Sequence, residues 1–257
     1  LQQPLEGNVY LGGKLLQKMK LHQKARTLAM VLTDSVQIEN ARVSDIVKMG
    51  RQPYSNWWGS LCDEDMRIVN SAIEMVHLTH KADFKLNELS DGERQRTMIA
   101  KALAQDTPLV LLDEPTAHLD LPNRVEIMLL LHDLAHRTMK SFLISTHELD
   151  IALQAADHIW LMENKGGIRC GVPEDLVLQG HFNAAFQSKS YYFNTTNGNF
   201  SMNYPLLKKV SVQGDKTRMY WTLRALARAG YCVVEDAKLL IVVSEKSWLV
   251  HDNEFDT

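Results

Sequence analysis

The stretch from Pro108 to Met162 constrains the fold more than any other part of the sequence. Leu109-Val110-Leu111-Leu112 is an uninterrupted apolar run of strand length, the pattern of a strand buried on both faces. From Arg124 to Leu134 the period becomes helical, with Val125, Met128, Leu129 and Leu131 expected inward. Ser141 to Ser145 reads as a second buried strand, Leu149 to Ala156 as a helix, and His158 to Met162 as a third strand. Strands separated by helices of this size imply βαβ units and a parallel sheet, hence an α/β fold. In open sheets of this kind ligands bind beyond the carboxyl ends of the strands. The residues just after Leu112 and Ile144 are therefore the first place to look for chemistry.

The remaining sequence divides around this segment. Residues 1–32 read as β-rich, with Gly7 to Gly13 a strand ending in a glycine turn and Ala29-Met30-Val31-Leu32 a second short run. Residues 33–104 form a helical region, in which Asp63 opens a helix with Met66, Val69, Ile73 and Val76 on one face. Residues 105–182 hold the strand–helix alternation. Asn194 to Tyr204 is polar and reads as a boundary, and 195–257 as a small α+β appendage. There a strand, Val210 to Val212, and a helix, Lys216 to Ala229, precede two strands, Tyr231–Glu235 and Leu239–Ser244, expected to pair through Asp236-Ala237-Lys238.

Composition removes several function classes. Of 257 residues 45% are hydrophobic and 23% charged, which excludes disorder as the main state. A net charge of −3 argues against nucleic-acid binding by bulk charge. Three dispersed cysteines, Cys62, Cys170 and Cys232, make no disulfide framework or zinc pattern, as expected for a reducing compartment. No apolar run approaches the ~20 residues of a membrane span.

Three short strings carry candidate chemistry. Asp113 and Glu114 follow the apolar run, where adjacent carboxylates are costly unless a cation or a reacting water uses them. One can hold Mg²⁺ through water while the other orients a nucleophilic water; the plainer reading is two solvated acids opening a loop. Leu89-Ser90-Asp91-Gly92-Glu93 contains an S-x-x-E capping box, which by itself only starts a helix. The same helix start, with free N–H groups, a hydroxyl and a glycine, can also receive an anion. Ser145-Thr146-His147-Glu148 places a histidine at the end of the next strand, either as a cap or beside the ligand of Asp113.

In this order and spacing the strings resemble the ATP-binding-cassette (ABC) ATPase family over about residues 1–180. Leu89 to Glu93 resembles the family signature, usually Leu-Ser-Gly-Gly-Gln, with Asp91 and Glu93 as variants. Leu109 to Glu114 resembles Walker B, Ala117-His118-Leu119-Asp120 the D-loop, and His147 the switch histidine. Gly50-Arg51-Gln52-Pro53-Tyr54 with Trp57-Trp58-Gly59 resembles the Gly-Arg-x-Pro segment of importers for iron-siderophores, haem and vitamin B12. The resemblance implies a P-loop NTPase core with an inserted helical subdomain that faces membrane subunits. It implies that Asp113 holds Mg²⁺ through water, Glu114 polarises the attacking water and His147 contacts the γ-phosphate. Asp120 would couple two halves of a dimer, and Ser90, Asp91, Gly92 and Glu93 would contact ATP held mainly by the other subunit.

Two departures stand out. The position of the family's Q-loop glutamine falls on Thr33, with Asp34 next. No G-x-x-x-x-G-K-[ST] occurs among the 257 residues. Leu1 to Gly7 resembles the exit from a P-loop helix, so the chain is expected to be a subunit whose Walker A segment lies before residue 1. The expected parent is the ATPase subunit of an importer for iron-siderophore or related chelates, working as a dimer with ATP and Mg²⁺. It would sit on membrane subunits at the cytoplasmic face of the plasma membrane, served by a substrate-binding protein, with no nucleic acid involved. The alternatives are a non-catalytic regulatory module without a P-loop and a soluble ABC ATPase outside transport.

Overall fold

The computed structural model describes residues 4–33, 40–55, 60–163, 166–186, 188–205 and 207–252. Asp34 and Trp57-Trp58-Gly59 lie outside the described residues. The chain divides into two units, Leu1–Ile159 and Trp160–Thr257.

The first unit opens with a two-strand hairpin, β1 (Tyr10–Leu11) and β2 (Lys14–Leu15), turned by Gly12 and Gly13, both at positive φ. A short helix α1 (Leu21–Ala25) leads to β3 (Leu28–Val31). The helical region follows as α2 (Val43–Met49), α3 (Asp63–Met75) and α4 (Asp91–Ala104). Next come β4 (Leu109–Asp113), α5 (Leu121–Thr138), β5 (Ser141–Ser145) and α6 (Leu149–Ala155). Among the described residues the sheet order is β3-β4-β5, all parallel, with Leu28, Leu109 and Ser141 in register.

One face of this sheet is the core. Ala29, Val31, Val110 and Leu112 are buried with Val43, Ile46 and Val47 of α2, Val69 and Ile73 of α3, Ile99 and Leu103 of α4, and Ile127, Leu131 and Leu134 of α5. The other face, where Met30, Leu111 and Leu143 stand side by side, is half-exposed to exposed. Burial on both faces, expected from the apolar run, is thus not seen among the described residues. Among the described residues the buried helix positions collect against one face of the sheet. Helix α5 departs from expectation in the same way. Met128 and Leu131 point inward, but Val125 and Leu129 are exposed, because the buried stripe runs through Ile127, Leu130, Leu131 and Leu134.

The helical region is fastened by the string read as an importer segment. Gly50 ends α2 so close to the Lys101 carbonyl of α4 that a side chain there would collide with it. Arg51 is buried; its Nε donates to Asp65 Oδ1 at 2.9 Å and its Nη1 to the Ala104 carbonyl at 2.9 Å. Its guanidinium lies over the Tyr54 ring, 4.0 Å from the centroid. One cation therefore joins α2, the start of α3 and the end of α4. The Cys62 N–H and thiol, and then Arg51, hold the Asp65 carboxyl below the usual range against the opposing effect of burial.

The second unit corrects three expectations. β6 (Ile159–Met162), expected as a third parallel strand, pairs among the described residues with β7 (Ile168–Gly171). Gly166 and Gly167, both at positive φ, make a tight return that favours this local partner. After α7 (Pro173–Leu178) and α8 (His181–Ala185), the expected boundary contains a hairpin, β8 (Tyr191–Asn194) with β9 (Asn199–Met202). Phe193 and Phe200 stack there, and Phe193 also meets Phe182. The appendage is β10 (Lys208–Gly214), α9 (Lys216–Arg228), β11 (Tyr231–Val233), β12 (Leu239–Val243) and β13 (Trp248–Asp252). β11 and β12 do not pair with each other. Each pairs in parallel with β10, in the order β11-β10-β12-β13. The crossover through α9 delivers β11 alongside β10, and β12 takes the other edge of β10.

Arg51→Met should lower stability by about 3 kcal/mol or more in chemical denaturation, because it strands a buried carboxylate. The depressed Asp65 pKa stabilises the fold fully above the unfolded value of about 3.9, and that contribution is lost as pH falls through the folded value. The stability gap between wild type and Asp65→Asn should therefore narrow below about pH 4.

Candidate functional site

The register of β4 against β5 sets Asp113 opposite Ser145. The Ser145 hydroxyl donates to Asp113 Oδ1 at 2.5 Å and accepts from the Glu114 N–H at 3.1 Å. The Glu114 N–H also donates to the Ser145 carbonyl at 3.1 Å. These contacts hold Glu114 at φ 45°, a left-handed conformation that a glutamate rarely adopts. The turn ends β4 abruptly and throws the Glu114 side chain toward the segment after β5. There Glu114 Oε1 lies 3.2 Å from His147 Nδ1. A carboxylate only accepts, so this pairing puts the ring hydrogen on Nδ1 and leaves Nε2 as the acceptor of the neutral ring. His147 is mostly exposed and Glu114 half-buried, so both are accessible to a ligand.

Thr33 enters the same place from β3: its hydroxyl donates to the Asp113 carbonyl at 2.8 Å. The position read as the Q-loop glutamine therefore adjoins the aspartate read as Walker B. Asp113 is exposed, and with Glu114 it offers hard carboxylate oxygens at one sheet edge, a donor set suited to Mg²⁺.

Asp120 lies one turn further on, where it caps α5 by accepting from the Asn123 N–H at 3.2 Å and the Asn123 side-chain amide at 2.6 Å. Asn123 also meets the start of α4. A Cβ on Gly92 would lie 2.7 Å from Asn123 Oδ1, so the glycine serves close packing of the two helix starts. Arg96 and Glu126 clamp the same helices at 2.8 Å. Ser90 caps α4, accepting from the Glu93 N–H, while Glu93 Oε2 accepts from the Ser90 N–H at 2.9 Å. Glu93 Oε1 takes Lys81 Nζ at 2.5 Å, and these bonds, Lys81 first, hold its carboxyl below the usual range. Asp91 is exposed and pairs with Arg94 at 3.1 Å.

Asp113, Glu114 and His147 thus come together, Asp120 is linked through Asn123 to Gly92, and Ser90, Asp91 and Glu93 share one helix start. Sequence reasoning missed the residues that hold this arrangement. Ser145 was legible only as part of a string. Arg124 donates from Nε to the Leu119 carbonyl at 2.6 Å and pairs through Nη1 with Glu148 at 3.0 Å, tying the loop before Asp120 to the residue after His147. Glu148 Oε2 is buried and has no hydrogen-bond partner among the described residues. An acid immediately after the histidine was the available signal.

Comparison with known proteins identifies the family. Residues 1–117 match the ABC transporter family model, and residues 207–257 match the model of the iron ABC transporter C-terminal domain. The chain is 34% identical over 207 residues to an uncharacterized ABC transporter ATP-binding protein of Methanocaldococcus jannaschii, covering 80% of this chain and 71% of that one. It is 32% identical over 204 residues to the iron(3+)-hydroxamate import ATP-binding protein FhuC of Bacillus subtilis, covering 79% and 76%. It is 30% identical over 177 residues to the ferric enterobactin transport ATP-binding protein FepC of Escherichia coli, covering 69% of this chain and 65% of that protein. Among solved structures, an inward-facing ABC transporter of metal-chelate type aligns with a TM-score of 0.58 at 27% identity, over 68% of this chain and 70% of that one. An ATP-binding cassette dimer carrying ADP and phosphate aligns with a TM-score of 0.52 at 26% identity, over 62% and 70%. Among the described residues no helix is long and apolar enough to cross a membrane. The chain belongs to the nucleotide-binding family of ABC transporter ATP-binding subunits.

Proposed function

We propose that these residues belong to the ATP-hydrolysing subunit of an importer for iron-siderophore or related metal chelates. The observation that carries the reading is the meeting of Glu114 and His147, 3.2 Å apart at the ends of adjacent parallel strands, with Asp113 latched beside them. The identity to iron-chelate import ATPases and the match of residues 207–257 to an iron-transporter domain support the substrate class. The subunit would act as a dimer on membrane subunits, peripheral to the inner face of the membrane, with a binding protein delivering the chelate.

In this reading Glu114 accepts a hydrogen bond from the attacking water and orients it in line with the γ-phosphorus. His147, its Nδ1–H directed at Glu114, would stand beside the transferred phosphoryl group and donate to a phosphate oxygen through Nε2 when both ring nitrogens carry hydrogen. Asp113 would hold Mg²⁺ through water, and the ion would supply charge neutralisation at the β- and γ-phosphates. Ser145 fixes Asp113 and the turn at Glu114, so the carboxylates are placed before substrate arrives. Ser90 and Gly92 at the start of α4 would receive the γ-phosphate of ATP held by the partner subunit. Asp120, joined to Gly92 through Asn123, would relay that contact to the hydrolytic edge. Catalysis then rests on positioning and charge complementarity.

Glu114→Gln, tested in the intact gene product assembled with its membrane subunits, should reduce ATP hydrolysis by ~10²-fold or more while ATP binding persists. Turnover at the wild-type rate would remove Glu114 from the role. Ser90→Arg should abolish turnover, and mixing it with a subunit disabled in phosphate binding should restore one working site per heterodimer. A mixture without activity at every ratio rules out a site shared between subunits.

The 257 residues contain no G-x-x-x-x-G-K-[ST]. Without that N–H nest and lysine, the 257-residue chain by itself should bind MgATP no tighter than about millimolar. Micromolar binding, measured by calorimetry, would show that other residues hold the phosphates.

A further inference from the structure

We propose that His132, His136 and Asp157 form a surface site for one divalent transition-metal ion, separate from the nucleotide site. His132 and His136 are four residues apart on α5 and so share a face. Their ring centroids lie 4.5 Å apart with the planes tilted by 57°. Asp157 comes from a different element, the turn that follows α6, and its Oδ1 lies 3.7 Å from His136 Nε2. One ligand atom from each of the three residues lies within 4.8 Å of the other two, and all three residues are exposed.

The chemistry of the set selects the ion. Two imidazole nitrogens and one carboxylate oxygen suit borderline ions such as Zn²⁺, Co²⁺ and Ni²⁺, and disfavour Mg²⁺ and Ca²⁺, which take oxygen ligands. A tetrahedral ion with bonds near 2.0–2.1 Å holds its ligand atoms about 3.3 Å apart. Closing from the observed spacing needs shifts of about 1 Å, within reach of side-chain rotation at an open surface. Three protein ligands leave at least one position for water.

The surroundings favour a cation. His136 lies in the last turn of the 18-residue α5, where the unpaired carbonyls carry partial negative charge. The neighbouring Arg137 is paired with Asp133 at 3.1 Å, which offsets the nearest positive charge on the helix. The helix backbone fixes the spacing of the two histidines in advance, so little ordering remains for binding.

His132 and His136 lie 12 and 16 residues after Asp120 along α5, roughly 18 and 24 Å by helix rise. The ion would join the C-terminal half of α5 to the exit of α6. These are the helices that follow Glu114 and His147, so occupancy would clamp the two strand–helix units that carry the hydrolytic pair.

The test is a titration of the untagged 257-residue chain with Co²⁺ and Zn²⁺, by calorimetry and by the visible absorption of Co²⁺. Wild type should bind one ion per chain with Kd on the order of 10 µM, undisturbed by millimolar Mg²⁺. His132→Gln, His136→Gln and Asp157→Asn should each weaken that site at least tenfold. All three side chains are exposed, so the variants should keep the wild-type fold, checked by circular dichroism. Saturating Zn²⁺ should raise the unfolding temperature of wild type but not of His136→Gln. Wild-type affinity in all three variants would overturn the site, as would the lack of a stoichiometric ion in wild type. Unchanged affinity in Asp157→Asn alone would overturn the link between α5 and the exit of α6.

Discussion

The register between β4 and β5 is the constraint on which the candidate site depends. Parallel pairing from Leu109↔Ser141 to Asp113↔Ser145 brings two strand ends level. Only then can one serine hydroxyl reach Asp113 while the Glu114 amide reaches the same serine. A slip of β5 by one residue would turn Phe142 and Ile144 away from the helices and carry Ser145 out of reach. The buried face that fixes the register for stability therefore also fixes the site. Core packing by α4 and α5 and placement of Glu114 against His147 are two results of one alignment.

Much of this was legible because its determinants are local. The apolar run before Asp113, the capping box at Ser90 and the histidine after Ser145 each announce themselves within a few residues. The unseen parts are long-range. That the Ser145 hydroxyl would bridge Asp113 and Glu114 depends on strand pairing across 31 and 32 positions. Arg124 reads as an ordinary surface charge at a helix start until its contacts with Leu119 and Glu148 are seen. Errors in the second unit have the same origin. Short separation made Tyr231–Glu235 and Leu239–Ser244 look like a hairpin, whereas β10 is inserted between them. Aromatic packing of Phe182, Phe193 and Phe200 turned an Asn-rich boundary into a hairpin.

The Gly50-Arg51 string shows how a family resemblance and a structural duty can share residues. Sequence resemblance placed this segment toward membrane subunits. In the structure Gly50 and Arg51 face inward, the glycine against the α4 backbone and the arginine against Asp65 and the Ala104 carbonyl. A buried guanidinium with a carboxylate, a carbonyl and an aromatic face satisfied at once specifies geometry more than it adds stability. It fixes the angle at which α2 leaves α4. Any surface that residues just beyond it present to a partner inherits that angle.

Glu114 shows the cost of such placement. A left-handed glutamate at the end of a strand is disfavoured by about 1–3 kcal/mol, and the opposing bonds are its N–H contacts with the Ser145 carbonyl and hydroxyl. Glycine in its place would relieve the strain and lose the carboxylate. A hydroxyl is required at 145 because it must donate to Asp113 and accept from the Glu114 N–H. Alanine there would leave Asp113 without its donor and Glu114 with a single amide acceptor. The strain is thus held by the residue that also orients the acidic pair, so relaxation at Glu114 and misplacement of Asp113 would occur together.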